Sequence, residues 1–322
     1  MNPKLSSHPV VKDFLHLTKF TTPYGSEHSR FKKLLLTLGC VIDPSGNFAL
    51  TIGESRTMFA AHLDTADRKA SRVRRKIKGD TVSTDGTTIL GADNRAGVAV
   101  MLHLIRNQVP GHYMFFVGEE HGRVGSRAAA ATGNHDGLID RVVCWDRMGT
   151  NSIITHQMGE RSCSNEFADA LADAYYTLNP ALKLSRDDGG TYTDSYSYLD
   201  SVPECTNISV GYFNQHSTSE VQDARFLVYV AEASVHVDWE RLPVMRDPNV
   251  IMYDTPKYHY QWHEWDMQDY EPTQVYNLTS AAYDLIEYSE RGLLRLQDVE
   301  EFVFAEPETA AKMLFDKLKR GW

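Results

Sequence analysis

The sequence has few cysteines, and none of them is closely paired with another. Four cysteines are spread over 322 residues, and no CxxC pair occurs. This excludes a disulfide framework of the kind that small secreted domains use, and also a zinc site made of thiolates. We therefore expect the cysteines to be reduced and mostly buried. Cys144, which lies in an apolar segment, is interpreted as a buried strand residue and not as a nucleophile.

Long apolar segments are also missing. No apolar run approaches the ~18 residues that a membrane-spanning helix needs. The first residues, MNPKLSSHPVVKDF, lack the apolar middle part of a secretion signal. We therefore expect a cytoplasmic protein with no membrane partner.

Basic residues are outnumbered by acidic ones. Lys and Arg number 33 against 43 Asp and Glu, which gives a formal net charge of −10 and a pI near 5.7. The longest basic cluster, residues 72–78, lies beside a predicted turn, so we interpret it as a solvated hairpin. This balance argues against nucleic acid as the main partner and leaves the oligomeric state open.

The signatures of several common enzyme classes do not occur. The sequence contains no GxSxG, no P-loop GxxxxGK[ST], no GxGxxG and no HExxH. Each of these motifs builds a specific site, so their absence removes the commonest serine hydrolases, nucleotide-binding proteins and single-zinc proteases. The chemistry must therefore be sought in separated residues.

Helical and strand-like segments alternate along most of the chain. Helical patterns are predicted at 10–38, with a Pro-Tyr-Gly break, and at 97–106 and 165–178, the last capped by Ser164. Predicted strands lie between them at 41–42, 48–52, 57–61, 113–117, 142–145, 152–155 and 207–210. Alternation of this kind predicts an α/β fold, a mixed and mostly parallel sheet with helices on both faces. Ligands of such sheets gather beyond the strand ends.

The composition changes beyond residue 241. Residues 253–270 are dense in aromatics, and two or three helices are predicted between 274 and 318. We therefore predict a catalytic domain at 1–240 and a mostly helical C-terminal extension at 241–322. His259 and His263 are four residues apart in this extension, and an aromatic packing surface is preferred there over a further metal site.

A first group of polar residues follows the predicted strand at 57–61. In the segment AHLDT, alternation at an extended strand end points His62 and Asp64 to the same side. A zinc-binding imidazole commonly has its second nitrogen held by a carboxylate, which fixes the tautomer. The pair fits a metal ligand with its helper, although an ordinary strand end gives the same pattern.

Two acidic segments follow further along the chain. In DGTTILGADNRAG, Asp93 lies at the start of an apolar helix, where it can be an N-cap or can reach inward and bridge two metals. Glu119 and Glu120 come directly after the apolar strand YMFFV. Two carboxylates crowded at a dry strand end repel each other, which favours a metal on one and a raised pKa on the other.

Asp146 in CWDR and His216 in NQHSTSE complete the set. Each is a weak signal alone. Their order, His, Asp, Glu-Glu, Asp, His, carries the inference, because each member falls at a strand end or helix start of one predicted sheet.

This ordered set resembles the co-catalytic zinc exopeptidase clan, the metallopeptidase families M20, M28 and M42. The segments DGTTILGADNRAG and AHLDT are most similar to peptidase T-like M20 enzymes and to M42 aminopeptidases. The resemblance covers residues 59–220, about half of the chain. It rests on five separated segments that match in order.

The resemblance implies a two-zinc site, for which Co²⁺ or Mn²⁺ could substitute. One zinc would be bound by His62 and Asp146, the other by Glu120 and His216, with Asp93 bridging the two. Asp64 would orient His62, and Glu119 would be the general base for a water between the metals.

The activity implied is hydrolysis of a peptide or amide bond, by an aminopeptidase or other small-peptide exopeptidase. Two alternatives stay open: a deacylase or amidohydrolase acting on N-acylated small molecules, and a metal-binding scaffold without turnover. The glycine-rich loop at 189–194 resembles a loop that borders the pocket in these families, which makes Asp194 a candidate substrate contact.

One departure from these families concerns the lid or dimerisation domain that M20 and M42 enzymes insert. Only 69 residues separate Asp146 from His216, and the stretch from His62 to Asp93 is shorter still. We therefore expect a lidless architecture similar to that of M28 aminopeptidases. Contacts that a lid would make with substrate must come from other parts of the protein.

Overall fold

The structure is a computed structural model that describes residues 3–250. The α-helices of this part are α1 Pro3–Ser6, α2 Pro9–Leu17, α3 Glu27–Thr37, α4 Ala92–Arg106, α5 Val124–Ala130, α6 Asn165–Leu178 and α7 Ala224–His236. Short 3₁₀ helices lie at Asp194–Tyr198 and Trp239–Arg241. The first seven strands are β1 Val41–Ile42, β2 Phe48–Ile52, β3 Thr57–His62, β4 Arg75–Lys78, β5 Thr81–Thr84, β6 Gly111–Phe116 and β7 Arg141–Arg147. The others are β8 Ser152–Ile154, β9 His156–Gln157, β10 Glu160–Arg161, β11 Ser185–Asp187, β12 Glu204–Ser209, β13 Tyr212–Phe213 and β14 Val221–Asp223.

An eight-stranded sheet forms the centre of this part of the chain, in the order β1-β2-β6-β3-β7-β12-β8-β11. The four middle strands β6, β3, β7 and β12 are parallel to one another. Antiparallel pairs occur on both sides, between β2 and β6 and between β12 and β8. The predicted mixed, mostly parallel sheet is confirmed, and its four middle strands end at the same edge.

Both faces of the sheet are buried, as the alternation along β3 shows. Phe59 and Ala61 belong to one apolar core, and Met58 and Ala60 belong to a second one. Helices α2, α4, α6 and α7 pack on the first side, where α4 contacts β3 and β7. Helix α5 and the 3₁₀ helix at 194–198 lie on the second side. Helices on both faces were predicted and are confirmed.

Side chains placed at helix starts explain where two of these helices begin. Ser164 Oγ accepts a hydrogen bond from the backbone N–H of Phe167 at 3.1 Å, as the predicted cap of α6 requires. The Asp223 carboxylate accepts hydrogen bonds from the N–H groups of Arg225 and Phe226 at the start of α7. Helix α7 was not predicted from the sequence.

A second, smaller sheet has the order β13-β14-β5-β4. Its β4–β5 hairpin contains most of the basic cluster at 72–78, and its outer residues are largely exposed, as the predicted solvated hairpin requires. On the other side β14 pairs with β5. This sheet therefore links the segment before α4 with the β13–β14 hairpin.

The last described residues pack against the large sheet. Arg141 Nη2 donates to the carbonyl of Leu242 at 3.1 Å, and the backbone N–H of Arg246 donates to Glu204 at 3.1 Å. Residues 251–322, with His259 and His263, lie outside the described part, so the predicted division at 240 stays a prediction.

All four cysteines are buried and unpaired, as expected. In the described part, no helix is long and apolar enough to cross a membrane.

Candidate metal centre

The four parallel strands bring most of the predicted site residues to one edge of the sheet. His62 is the last residue of β3, and Asp146 is near the end of β7. Glu119 and Glu120 follow β6, and His216 follows β12 in the β13–β14 hairpin. Because the carboxyl ends of these strands are neighbours, side chains far apart in sequence converge there.

Asp93 reaches the same place from the start of α4. Gly91, just before it, adopts a left-handed conformation with φ +69°, which glycine tolerates without strain. The buried Glu220 carboxylate accepts hydrogen bonds from the N–H groups of Leu90 at 2.8 Å, Gly91 at 2.7 Å and Asp93 at 3.0 Å. The Asp93–Asn94 peptide bond is cis. One buried side chain therefore fixes the turn that aims Asp93.

The Asp93 carboxylate lies between two histidines. Its Oδ1 is 3.0 Å from His62 Nε2, and its Oδ2 is 3.3 Å from His216 Nε2. Each histidine also lies near a second carboxylate: Asp146 Oδ1 is 3.4 Å from His62 Nε2, and Glu120 Oε1 is 3.0 Å from His216 Nε2. The structure thus brings all five predicted ligands together, in two groups that share Asp93.

Asp64 connects His62 to the Glu119-Glu120 turn. Its Oδ1 lies 3.3 Å from His62 Nδ1, on the opposite side of the imidazole from Asp93. The two carboxylate oxygens also accept the backbone N–H groups of Glu119 and Glu120, both at 3.0 Å. Although burial alone would raise the pKa of Asp64, the neighbouring His62 lowers it below the ordinary value. The predicted same-side placement of Asp64 and His62 is what the geometry shows.

Asp146 is held by Thr193, from the glycine-rich loop noted in the sequence, and by two residues that the sequence did not indicate, Tyr212 and Asn207. Thr193 Oγ1 donates to Asp146 Oδ2 at 2.6 Å, and the Tyr212 hydroxyl donates to Oδ1 at 3.4 Å. Asn207 Oδ1 accepts the Asp146 backbone N–H at 2.8 Å. Burial and the charge of Asp93 raise the pKa of Asp146 to about 7.

Glu119 lies beside the two groups without joining either closely. Its Oε2 is 4.0 Å from His62 Nε2, and the residue is 8% exposed. Burial raises the pKa of the Glu119 carboxyl well above its ordinary value, opposed by the charge of His62 and reinforced by Asp146 and Asp194. A carboxyl of this kind is suited to proton transfer near neutral pH.

The carboxylates at this place raise the pKa values of both histidines. Burial alone would lower the pKa of His62, but Asp146, Asp64 and Asp93 raise it well above the ordinary value. The close carboxylates of Asp93 and Glu120 raise the pKa of His216 to about 11. Two histidines face a larger number of carboxylates, so a bound cation would be strongly stabilised at this place.

The donor set also fits a metal ion chemically. Ligand atoms of His62, Asp93 and Glu120 all lie within 4.8 Å of one another, so these residues could hold a metal ion. Glu120 Oε1 and His62 Nδ1 are buried yet make no hydrogen bond of good geometry, despite their nearby partners. Imidazole with carboxylate is a donor set that suits zinc, and carboxylate oxygens also suit manganese.

A cavity of about 260 Å³ opens beside these residues. Acidic, apolar and uncharged polar side chains line it together with one arginine and one histidine. The lining comprises Asp93, Glu119, Glu120, Asp146, Arg147, Met148, Ile154, Met158, Gly190, Thr191, Tyr192, Asn207, Tyr212, Gln215 and His216. The predicted contact Asp194 is 1% exposed and does not belong to this lining, although Gly190, Thr191 and Tyr192 of its loop do. Burial raises the pKa of Asp194 to about 6. The substrate-contact role of Asp194 stays a prediction.

Two buried acids with a positioning role were missed by the sequence analysis. Glu220, only four residues after His216, holds the turn before Asp93. Glu27 in α3 accepts the N–H of Gly118 at 3.1 Å, next to the Glu119-Glu120 pair. The spacing of Glu220 from His216 was a visible signal, whereas nothing near Glu27 in sequence pointed to the site.

Comparison with known proteins confirms the fold. No protein-family model matches the sequence. The uncharacterized protein YqjE of Bacillus subtilis (strain 168) is 37% identical over 95 residues, which cover 26% of this chain and 25% of that protein. The match therefore spans a quarter of the length of this relative.

Solved structures match over a longer stretch. The aminopeptidase PepT of Bacillus cereus ATCC 10987 superposes with a TM-score of 0.61 at 17% identity, covering 72% of this chain and 98% of that one. A tripeptidase of Staphylococcus aureus subsp. aureus Mu50 gives a TM-score of 0.58 at 16% identity, with 72% and 97% covered. An aminopeptidase of the archaeon Desulfurococcus kamchatkensis gives 0.55 at 16%, with 70% and 93% covered. The chain has the fold of the co-catalytic zinc peptidase clan, as the sequence motifs predicted.

Proposed function

We propose that this protein is a two-zinc hydrolase that cleaves the amide bond of short peptides, most simply as an aminopeptidase. The observation that carries the proposal is the placement of Asp93, whose two carboxylate oxygens each face a different histidine. A carboxylate in this position can give one oxygen to each of two metals. Such a pair of sites is the basis of co-catalytic hydrolysis.

The ligands divide into two sets that share Asp93. His62 and Asp146 would hold one zinc, and Glu120 and His216 would hold the other. When bound, the metals would polarise the scissile carbonyl and make a water molecule acidic enough to be deprotonated near neutral pH. Co²⁺ or Mn²⁺ would satisfy the same donors.

Glu119 supplies the acid–base chemistry. Its carboxyl lines the cavity and makes no close contact with the histidines, so it is placed to exchange protons with a bound molecule. It takes a proton from the attacking water and returns it to the leaving amine. A scaffold that only bound metal would have no use for this residue.

The cavity favours small substrates. Its volume of about 260 Å³ is below the range of ~300–1,000 Å³ that is usual for pockets of drug-sized ligands. The structural neighbours include a tripeptidase and aminopeptidases. Substrates of two or three residues fit both observations. A cytoplasmic location, predicted from the sequence, belongs to the same proposal.

A substrate panel with one variant pair tests the proposal. Dipeptides and tripeptides with a free α-amine, and the same peptides with a blocked amine, are incubated with protein loaded with zinc, cobalt or manganese. The aminopeptidase proposal predicts release of amino acids from the free-amine set only. Preferential cleavage of the blocked set would instead identify a deacylase.

Glu119→Gln isolates the role of the base. Its backbone N–H, and not its side chain, binds Asp64, so the variant should keep its metals. Turnover should fall by roughly 10²- to 10⁴-fold, the usual contribution of a general base. Glu54→Gln is the matched control, because Glu54 is exposed and away from the cavity. Equal turnover of Glu119→Gln and wild type would refute the mechanism.

A further inference from the structure

Arg147 is a permanent positive charge placed among acids. It follows Asp146 directly at the end of β7, and both residues line the cavity. Of the described residues that line this cavity, four are acidic, and Arg147 is the single Arg or Lys. A guanidinium next to a proposed cation site repels the metal, but it attracts an anionic group of a bound substrate.

The side chain is held in place yet keeps donor capacity. Arg147 Nη2 donates to Asp187 Oδ2 at 3.4 Å and to the carbonyl of Gly189 at 3.1 Å. Within residues 3–250, Nη1 makes no hydrogen bond, and Nε is buried without a partner. Asp187 Oδ2 also accepts a hydrogen bond from Ser152 Oγ at 2.6 Å. The guanidinium is therefore fixed in direction and still able to bind an anion.

We propose that Arg147 binds a carboxylate of the substrate, so that the enzyme prefers short peptides with a carboxylate close to the scissile bond. This inference rests on the proposed peptidase function. The carboxylate can be the C-terminus of a dipeptide, which is a few bonds from the scissile carbonyl, or an acidic side chain. Either one would meet the N–H groups of Arg147 while the carbonyl faces the metal ligands next to it.

The rest of the lining supports a small anionic substrate with an apolar portion. Met148, Met158 and Tyr192 also line the cavity and offer apolar surface to a substrate. A charge-assisted hydrogen bond between the guanidinium and a carboxylate is roughly twice as strong as one between uncharged groups. A guanidinium that binds a carboxylate discriminates against the uncharged amide of the same shape, because the amide leaves the charged donor without its partner.

Two matched substrate pairs separate the sources of the carboxylate. The first pair is alanyl-alanine and its C-terminal amide, and the second is glutamyl-alanine amide and glutaminyl-alanine amide. We expect kcat/KM of the zinc-loaded protein to be about 10- to 100-fold higher for the carboxylate member of one pair. Preference within the first pair identifies C-terminal recognition, and preference within the second identifies side-chain recognition.

Variants of Arg147 connect the preference to this residue. Arg147→Gln should bring the ratio within the preferred pair close to one, and Arg147→Lys should keep part of it, with zinc content unchanged in both. Arg186→Gln is the matched control, because Arg186 on β11 pairs with Asp169 of α6 and does not line the cavity.

The outcomes distinguish this inference from the function on which it rests. Hydrolysis by wild type with no carboxylate preference in either pair overturns the role of Arg147 and leaves the peptidase function intact. If the Arg147→Gln variant still prefers the carboxylate substrate, the role of Arg147 is overturned in the same way. If the zinc-loaded wild type hydrolyses no member of the panel, the proposed function fails and this inference fails with it.

Discussion

Asp64 Oδ1 lies 3.3 Å from His62 Nδ1, and both side chains are almost completely buried. The same carboxylate accepts the backbone N–H groups of Glu119 and Glu120. One side chain therefore sets the orientation of an imidazole on β3 and the conformation of the turn after β6. This coupling explains how two separate strands can present donors in fixed positions.

Replacing Asp64 by Asn should therefore weaken zinc binding. The amide has one oxygen where the carboxylate has two, so at least one of the two backbone N–H groups loses its acceptor, and the uncharged amide supports the His62 imidazole less strongly. Loss of such a supporting contact typically lowers metal affinity about 10- to 100-fold. Calorimetric zinc titration measures the effect, with Asp173→Asn, an exposed change on α6, as the control. Unaltered affinity in Asp64→Asn would show that His62 is oriented by something else.

Glu220→Gln should destabilise the turn before Asp93. The carboxylate accepts three backbone N–H groups, and an amide in its place turns a donor toward at least one of them. An unpaired buried donor costs about 1–3 kcal/mol of unfolding free energy. Chemical denaturation of the metal-free protein measures this loss. A variant as stable as wild type would contradict the positioning role of Glu220.

Gly97→Ala should be more damaging than an alanine at an open glycine. A Cβ at position 97 would collide with Asn94 Oδ1 and with the backbone carbonyl of Trp145, where α4 crosses β7. The closeness of backbone atoms prevents easy relief, so overpacking of about 3 kcal/mol or more is expected. Gly79→Ala, where nothing lies within 4 Å and φ is +59°, should cost only about 1–2 kcal/mol. Thermal unfolding of both variants compares them directly, and equal losses would refute the close approach.

The stability of the metal-free protein should fall as pH rises. Asp146 and Asp194 have pKa values raised to about 7 and about 6, whereas unfolded Asp titrates near ~3.9. Between these values the folded state binds more protons than the unfolded state, so the free energy of unfolding decreases with increasing pH. His216, raised to about 11, extends the decrease above the ~6.5 at which unfolded histidine titrates. Asp64, whose pKa is lowered, acts only in more acidic solution.

Unfolding curves with a chelator, recorded from about pH 5 to about pH 8 across this range of pKa values, test the decrease. Asp146→Asn should flatten the slope, because the asparagine does not titrate. Zinc should flatten it too, since the cation takes the place of the protons. Stability that rises with pH in the metal-free protein would contradict the raised pKa values of these buried carboxyl groups.

The sequence predicted the apolar strands of the large sheet but not its polar edge strand β11, whose three residues form no apolar run. The strand that ends at His62 and the strand before Glu119 are buried on both faces, so a continuous apolar run identified each one. Helix α7 was missed because its run of valines and aromatics favours a strand locally, and burial of Phe226, Leu227 and Val230 decides for a helix.

For the site, the order of the five proposed ligands along the chain was enough to predict that they meet. The supporting residues were not predictable in the same way. Thr193 lies in the 189–194 loop that the sequence indicated, but its contact with Asp146 depends on how that loop packs. Glu27 reaches the site from α3, and a single Glu carries no sequence pattern. Arg147 could not be identified from the sequence either, because its proposed role depends on the cavity that it lines.

The central claim is that Asp93 is shared between two metal ions, and a zinc titration of the metal-free protein tests it most directly. The account predicts two zinc ions per chain for wild type, and weakened binding of both in Asp93→Asn, since each proposed set includes one Asp93 oxygen. An Asp173→Asn control should bind as wild type does. Binding of no zinc or of a single zinc by wild type, or loss of only one in Asp93→Asn, would contradict the account.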